Sequence, residues 1–108
     1  MADSLPKAVN QFRKRHPDVW RAFNKLGESC HQAGPLDEKT RRLVKLALSI
    51  GAGLEGATHS AVRNARTCGV TAKEMEHVAL LSITTLGLPA ATRAWTWIAD
   101  GVRIGKQK

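Results

Sequence analysis

The chain has 108 residues, room for one compact domain with one hydrophobic core. Its apolar content is mostly Ala, Leu, Val and Ile, with two Phe, three Trp and no Tyr, which argues against a sheet sandwich, where β-branched and aromatic residues should dominate. The formal charge is +8, yet outside Arg13-Lys14-Arg15 and Arg41-Arg42 the basic residues are dispersed, and there is no zinc-finger spacing or RNA-recognition signature, so a nucleic-acid partner is not expected.

The chain reads as helices separated by stop signals. A short helix is predicted from Pro6 to about Arg15 and is broken at His16-Pro17, because the residue before proline resists the α conformation. A second runs from about Pro17 to Ala33, with Val19, Trp20, Phe23, Leu26 and Cys30 as its apolar stripe, and ends at Gly34-Pro35. Asp37 is the predicted N-cap of a third, about Glu38 to Ile50, whose Leu43, Val44, Leu46, Ala47, Leu48 and Ile50 cover more than one face and call for burial. Gly51-Ala52-Gly53 bends the chain into a fourth helix, about Leu54 to Cys68, capped by Gly69.

Thr71-Ala72-Lys73-Glu74 is a capping box and opens a fifth helix reaching about Thr85. Gly87-Leu88-Pro89 stops it, and a sixth runs from about Pro89 to Ile104. Trp95 and Trp97 point to different sides of it, one toward the core and one toward a subunit contact. The reading is all-α, one domain over residues 1–108, with 1–4 and 106–108 frayed. Two helices apolar nearly all round exceed what a lone chain of this size covers, so a homo-oligomer is expected. There is no signal peptide and no long apolar run, so a cytoplasmic protein without a membrane partner is expected. Cys30 and Cys68 are far apart and belong to no Cys-x-x-Cys pair; both read as reduced thiols, with Cys68 also a possible redox thiol.

The polar residues Glu55, His59 and Arg63 stand four apart on the fourth helix and therefore share a face. A carboxylate beside an imidazole fixes its tautomer and suits general acid–base work, and a guanidinium one turn on suits a substrate carboxylate. The alternative is a structural ladder of i, i+4 ion pairs. A metal pair at Glu55 and His59 would need a further ligand such as His77 or His31; no metal and no cofactor is expected. Arg42 and Lys45 either line a pocket or form a solvated face.

Gly34-Pro35-Leu36-Asp37-Glu38-Lys39-Thr40-Arg41 leads into an apolar helix and a small-residue bend. A helix ending at Gly69-Val70-Thr71 follows, then Lys73-Glu74-Met75-Glu76, then Leu86-Gly87-Leu88-Pro89-Ala90 before a last helix. In order and spacing this resembles the carboxymuconolactone decarboxylase family, which includes the alkylhydroperoxidase D-like proteins, over roughly Phe23 to Ala99. The resemblance implies an all-helical fold of about six helices, assembly as trimers or hexamers, and active sites near subunit contacts. The peroxidase branch carries Cys-x-x-Cys-x-x-x-His on the fourth helix and a glutamate one helix earlier. By count these positions fall on Leu54, Ala57, Ala61 and, on or next to it, Arg42. Dithiol peroxide reduction needs a thiolate nucleophile and a resolving thiol, and Leu54 and Ala57 supply neither. The expected function is therefore that of a divergent member with acid–base chemistry on a small carboxylate or lactone, Glu55 and His59 moving the proton and Arg63 and Arg42 binding the anion. The alternatives are a non-catalytic oligomeric binding protein and, behind it, a basic nucleic-acid-binding module.

Overall fold

The computed structural model describes residues 5–106, with side chains described as far as Arg103. Seven helices and no strand occur among the described residues: α1 Lys7–Arg15, α2 Pro17–His31, α3 Glu38–Gly51, α4 Glu55–Thr67, α5 Ala72–Leu81, α6 Ile83–Leu86 and α7 Leu88–Lys106. The fold is all-α, as read from the sequence. The predicted fraying of residues 1–4, 107 and 108 lies outside the described residues, while Lys106 closes α7.

The chain forms two compact units that divide between Pro35 and Leu36. The first holds α1 and α2, joined at His16, with Pro17 at the first position of α2, where a missing N–H costs nothing. Phe12, Trp20 and Phe23 form a chain of ring contacts between and along these helices. Neither helix has a buried residue.

The second unit holds α3 to α7. The Asp37 carboxylate accepts the Thr40 backbone N–H at 2.8 Å and starts α3, the predicted cap. Hydrogen bonds from Thr40, the hydroxyl's first and the backbone's next, hold the Asp37 carboxyl below its ordinary range. Thr71 and Glu74 form the predicted capping box of α5: Glu74 N–H donates to Thr71 Oγ1 at 3.1 Å and Thr71 N–H donates to Glu74 Oε1 at 2.9 Å. That Thr71 N–H is also the largest reason the Glu74 carboxyl sits low. Gly53, Gly69 and Gly87 all have positive φ, at the three places where the sequence required a bend or a stop.

The predicted fifth helix is divided at Ser82. Its hydroxyl donates to the Ala79 carbonyl at 2.6 Å and its N–H is shared between the carbonyls of Val78 and Ala79, which tightens the last turn of α5 before α6 begins. α3 and α4 run antiparallel, α7 packs on α4 and α5, and the core between them is Leu46, Ile50, Ala61, Val62, Ala65, Val70, Met75, Ala79, Ala94 and Ile98. Five of these ten are not bulky aliphatics but Ala or Met, so the helices approach closely. Gly101 of α7 shows how closely: a Cβ there would lie 2.7 Å from Val62 Cγ1.

Two expectations are corrected. α3 is not largely buried: only Leu46 and Ile50 are, whereas Leu48 is 67% exposed, because the second unit packs on α3 mainly through α4 and α5. Neither Trp95 nor Trp97 belongs to the core; the inward positions of α7 are taken by Ala91, Ala94 and Ile98.

Candidate functional site

Gly53 sets the geometry of the site. Its φ of +69° turns the chain sharply out of α3, the Leu54 N–H closes the bend on the Ser49 carbonyl, and α4 begins at Glu55. Thr58, Ala61, Val62 and Ala65 then face the core, which leaves Glu55, His59 and Arg63 along one outer flank. The Glu55 side chain is 64% exposed, and the His59 side chain 30%. His59 Nε2 and Glu55 Oε2 stand 3.4 Å apart, at the long end of hydrogen-bond distance.

The partners of this pair come from α7. The His59 and Trp97 rings meet at 6.3 Å with planes tilted by 53°. The Arg93 guanidinium lies over the same indole, its Cζ 5.2 Å from the ring centroid, in a cation–π contact. Arg93 Nη2 also lies against Gly53, 3.3 Å from where a Cβ would be. An acid, an imidazole, an indole and a guanidinium are thus gathered where the α3–α4 bend meets α7. Arg63, one turn beyond His59, is half-buried. Among the described residues no carboxylate is paired with Arg63 or Arg93.

The other two sequence-predicted residues, Arg42 and Cys68, meet at Glu38. Arg42 Nε donates to Glu38 Oε2 at 3.0 Å, Arg41 Nη2 to Oε1 at 2.6 Å, and the Cys68 thiol to Oε2 at 2.9 Å. Cys68 is 13 residues past Glu55, about 20 Å along the axis of α4. The proposed residues therefore form two groups at opposite ends of the α3–α4 pair, with Glu38 engaging Arg42, one of the two cations that the sequence assigned to substrate binding.

Sequence reasoning missed Arg93 and Glu38 and gave Trp97 no part in a site. The i, i+4 spacing of Arg93 and Trp97 was the available signal, since it places a cation over an indole on a helix. Among the described residues no group of three or more His, Cys, Asp and Glu side chains could hold a metal ion, and His77 does not make one with Glu55 and His59. Nor is any described helix long and apolar enough to cross a membrane.

Comparison with known proteins gives two findings. A model of the carboxymuconolactone decarboxylase family matches residues 17–100. An uncharacterized protein of Methanocaldococcus jannaschii is 26% identical over 89 residues, covering 82% of this chain and 86% of that protein.

Proposed function

We propose, for a chain that belongs to the carboxymuconolactone decarboxylase family, an oligomeric enzyme that moves a proton on a small carboxylate or lactone. The observation that carries this reading is the Glu55–His59 pair backed by Trp97. A neutral imidazole can take a proton at one ring nitrogen only if the other is protonated, and a carboxylate neighbour selects that tautomer and stabilises the imidazolium that forms. His59 is the proton carrier and Glu55 its orienting partner. Lyase or isomerase chemistry needs no more from the protein than this pair and a group to hold the substrate's charge. Dithiol peroxide reduction does not fit, because the positions that count to the peroxidase cysteines hold Leu54 and Ala57.

Self-association is part of the proposal. A groove of about 370 Å³ between α3, α5 and α6 is lined by Leu43, Val44, Ala47, Val78, Leu81 and Leu86 and by no charged side chain. Leu48, Leu80, Leu81 and Leu88 are each more than half exposed. A homotrimer or homohexamer would cover such surface. The two unpaired cysteines fit a reducing, cytoplasmic setting.

The test is turnover of a panel of small lactones and carboxylic acids by the wild type and by His59→Ala. Loss of turnover of at least about a hundredfold with unchanged circular dichroism supports proton transfer by His59. Turnover equal to wild type sinks it. The same uncovered apolar surface favours a second reading, a binding oligomer without catalysis. Light scattering behind a sizing column that finds a trimer or hexamer, together with no turnover of any panel member, would favour that reading.

A further inference from the structure

We infer that Arg93 is the anion-binding residue of this site and that it takes the carboxylate of a small organic acid; this rests on the acid–base reading of Glu55 and His59. Four observations lead there. Of the two cations assigned to the anion from sequence, Arg63 and Arg42, Arg42 is engaged with Glu38 at 3.0 Å, in the cluster that also holds Cys68. Arg93 has no carboxylate partner among the described residues. It is nonetheless positioned, with Cζ over the Trp97 indole at 5.2 Å from the ring centroid and Nη2 against Gly53. The same indole meets the His59 imidazole, which places guanidinium and base within about 12 Å of each other, the two separations laid end to end.

The geometry selects the ligand class. A guanidinium held over an aromatic ring without a carboxylate partner still has N–H donors to offer, and its planar fork matches the two oxygens of a carboxylate. A ligand held there by its carboxylate lies beside the indole that the His59 imidazole also meets. Glu55, the nearby acid, repels a second negative group on the imidazole side, so a monocarboxylate fits better than a compact dicarboxylate. Arg63 lies one turn further along α4 and, among the described residues, makes no such contact with an indole.

The experiment is a titration of the full chain with benzoate and, separately, its neutral counterpart benzamide, following the tryptophan indole N–H resonances. Trp97→Phe assigns the signal of interest. Benzoate should move the Trp97 resonance and benzamide should not. Arg93→Gln should weaken benzoate binding about ten- to a hundredfold, the usual worth of hydrogen bonds to a charged group, while Arg93→Lys retains part of it. Absence of benzoate binding by the wild type overturns the assignment. So does an affinity that Arg93→Gln leaves unchanged, or one abolished by Arg63→Gln or Arg42→Gln instead. Turnover separates the two readings. Arg93-dependent benzoate binding without turnover of any acid or lactone removes the acid–base reading and keeps the anion site. Turnover with an unchanged KM in Arg93→Gln removes the anion site and keeps the acid–base reading.

Discussion

Gly101→Ala should destabilise the protein even though it replaces glycine inside a helix. On an exposed helix the change stabilises by about 1 kcal/mol, because alanine restricts the unfolded chain and favours the helix. Here the new Cβ would stand 2.7 Å from Val62 Cγ1 and 3.3 Å from Val62 Cβ, whereas carbon atoms rest at about 3.5–4.0 Å. Val62 is fully buried and, being β-branched in a helix, has one strongly preferred rotamer. It cannot turn away, so α4 and α7 must separate or Val62 must leave its rotamer. Overpacking of this kind costs about 1–3 kcal/mol, which leaves a net loss of about 1 kcal/mol after the helix gain is subtracted. Urea unfolding followed by circular dichroism measures it. The companion variant Val62→Ala opens the space at a cost of its own, and in that background Gly101→Ala should become neutral or stabilising, a coupling of about 1–2 kcal/mol. An increase in stability for Gly101→Ala in the wild type would refute the argument from close helix approach.

Three further outcomes are expected. Thr71→Ala should cost about 1 kcal/mol, measured by urea unfolding, because it removes the hydroxyl that accepts the Glu74 N–H. Asp37 and Glu74 have folded-state pKa values below their ordinary 3.8 and 4.5, so the stability they contribute is present above those values and is lost as pH falls below them. Asp37→Asn should flatten the acid side of a melting-temperature profile taken between about pH 5 and 2; a profile parallel to wild type would remove the cap from the explanation. Brief iodoacetamide treatment followed by peptide mass spectrometry should label exposed Cys30 before Cys68, which is half-buried with its thiol donated to Glu38; the reverse order would contradict that arrangement.

The features that were legible in the sequence are those decided within a few residues. Asp37, the Thr71–Glu74 box and the glycines at 53, 69 and 87 act on their own turns, and each stands where it was expected. The Glu55–His59 pair was legible for the same reason, since four residues on a helix fix the separation. The contacts across helices were not. Arg93 and Trp97 come from a helix more than thirty residues beyond Glu55, and Glu38 meets Cys68 across 30 residues, so no local rule brings them together. The apolar breadth of α3 led to an expectation of burial that the structure does not meet, because no local rule shows that the chain's own second unit covers only part of that helix. The break at Ser82 escaped because a serine hydroxyl bonding back to a carbonyl looks, in sequence, like any residue in the middle of a helix.

Gly53 answers to two demands at once. Its φ of +69° is reached freely only by glycine, and its bare α-carbon lets the Arg93 guanidinium lie against the bend. The two demands differ in stiffness: a side-chain tip can shift by a few tenths of an ångström, whereas the backbone turn cannot. Through divergence, then, Arg93 should be the freer of the two positions. Relatives that keep Gly53 while varying Arg93 would retain the fold with a different ligand preference. Relatives that lose Gly53 must rebuild the α3–α4 bend, and the berth for the guanidinium would disappear with it.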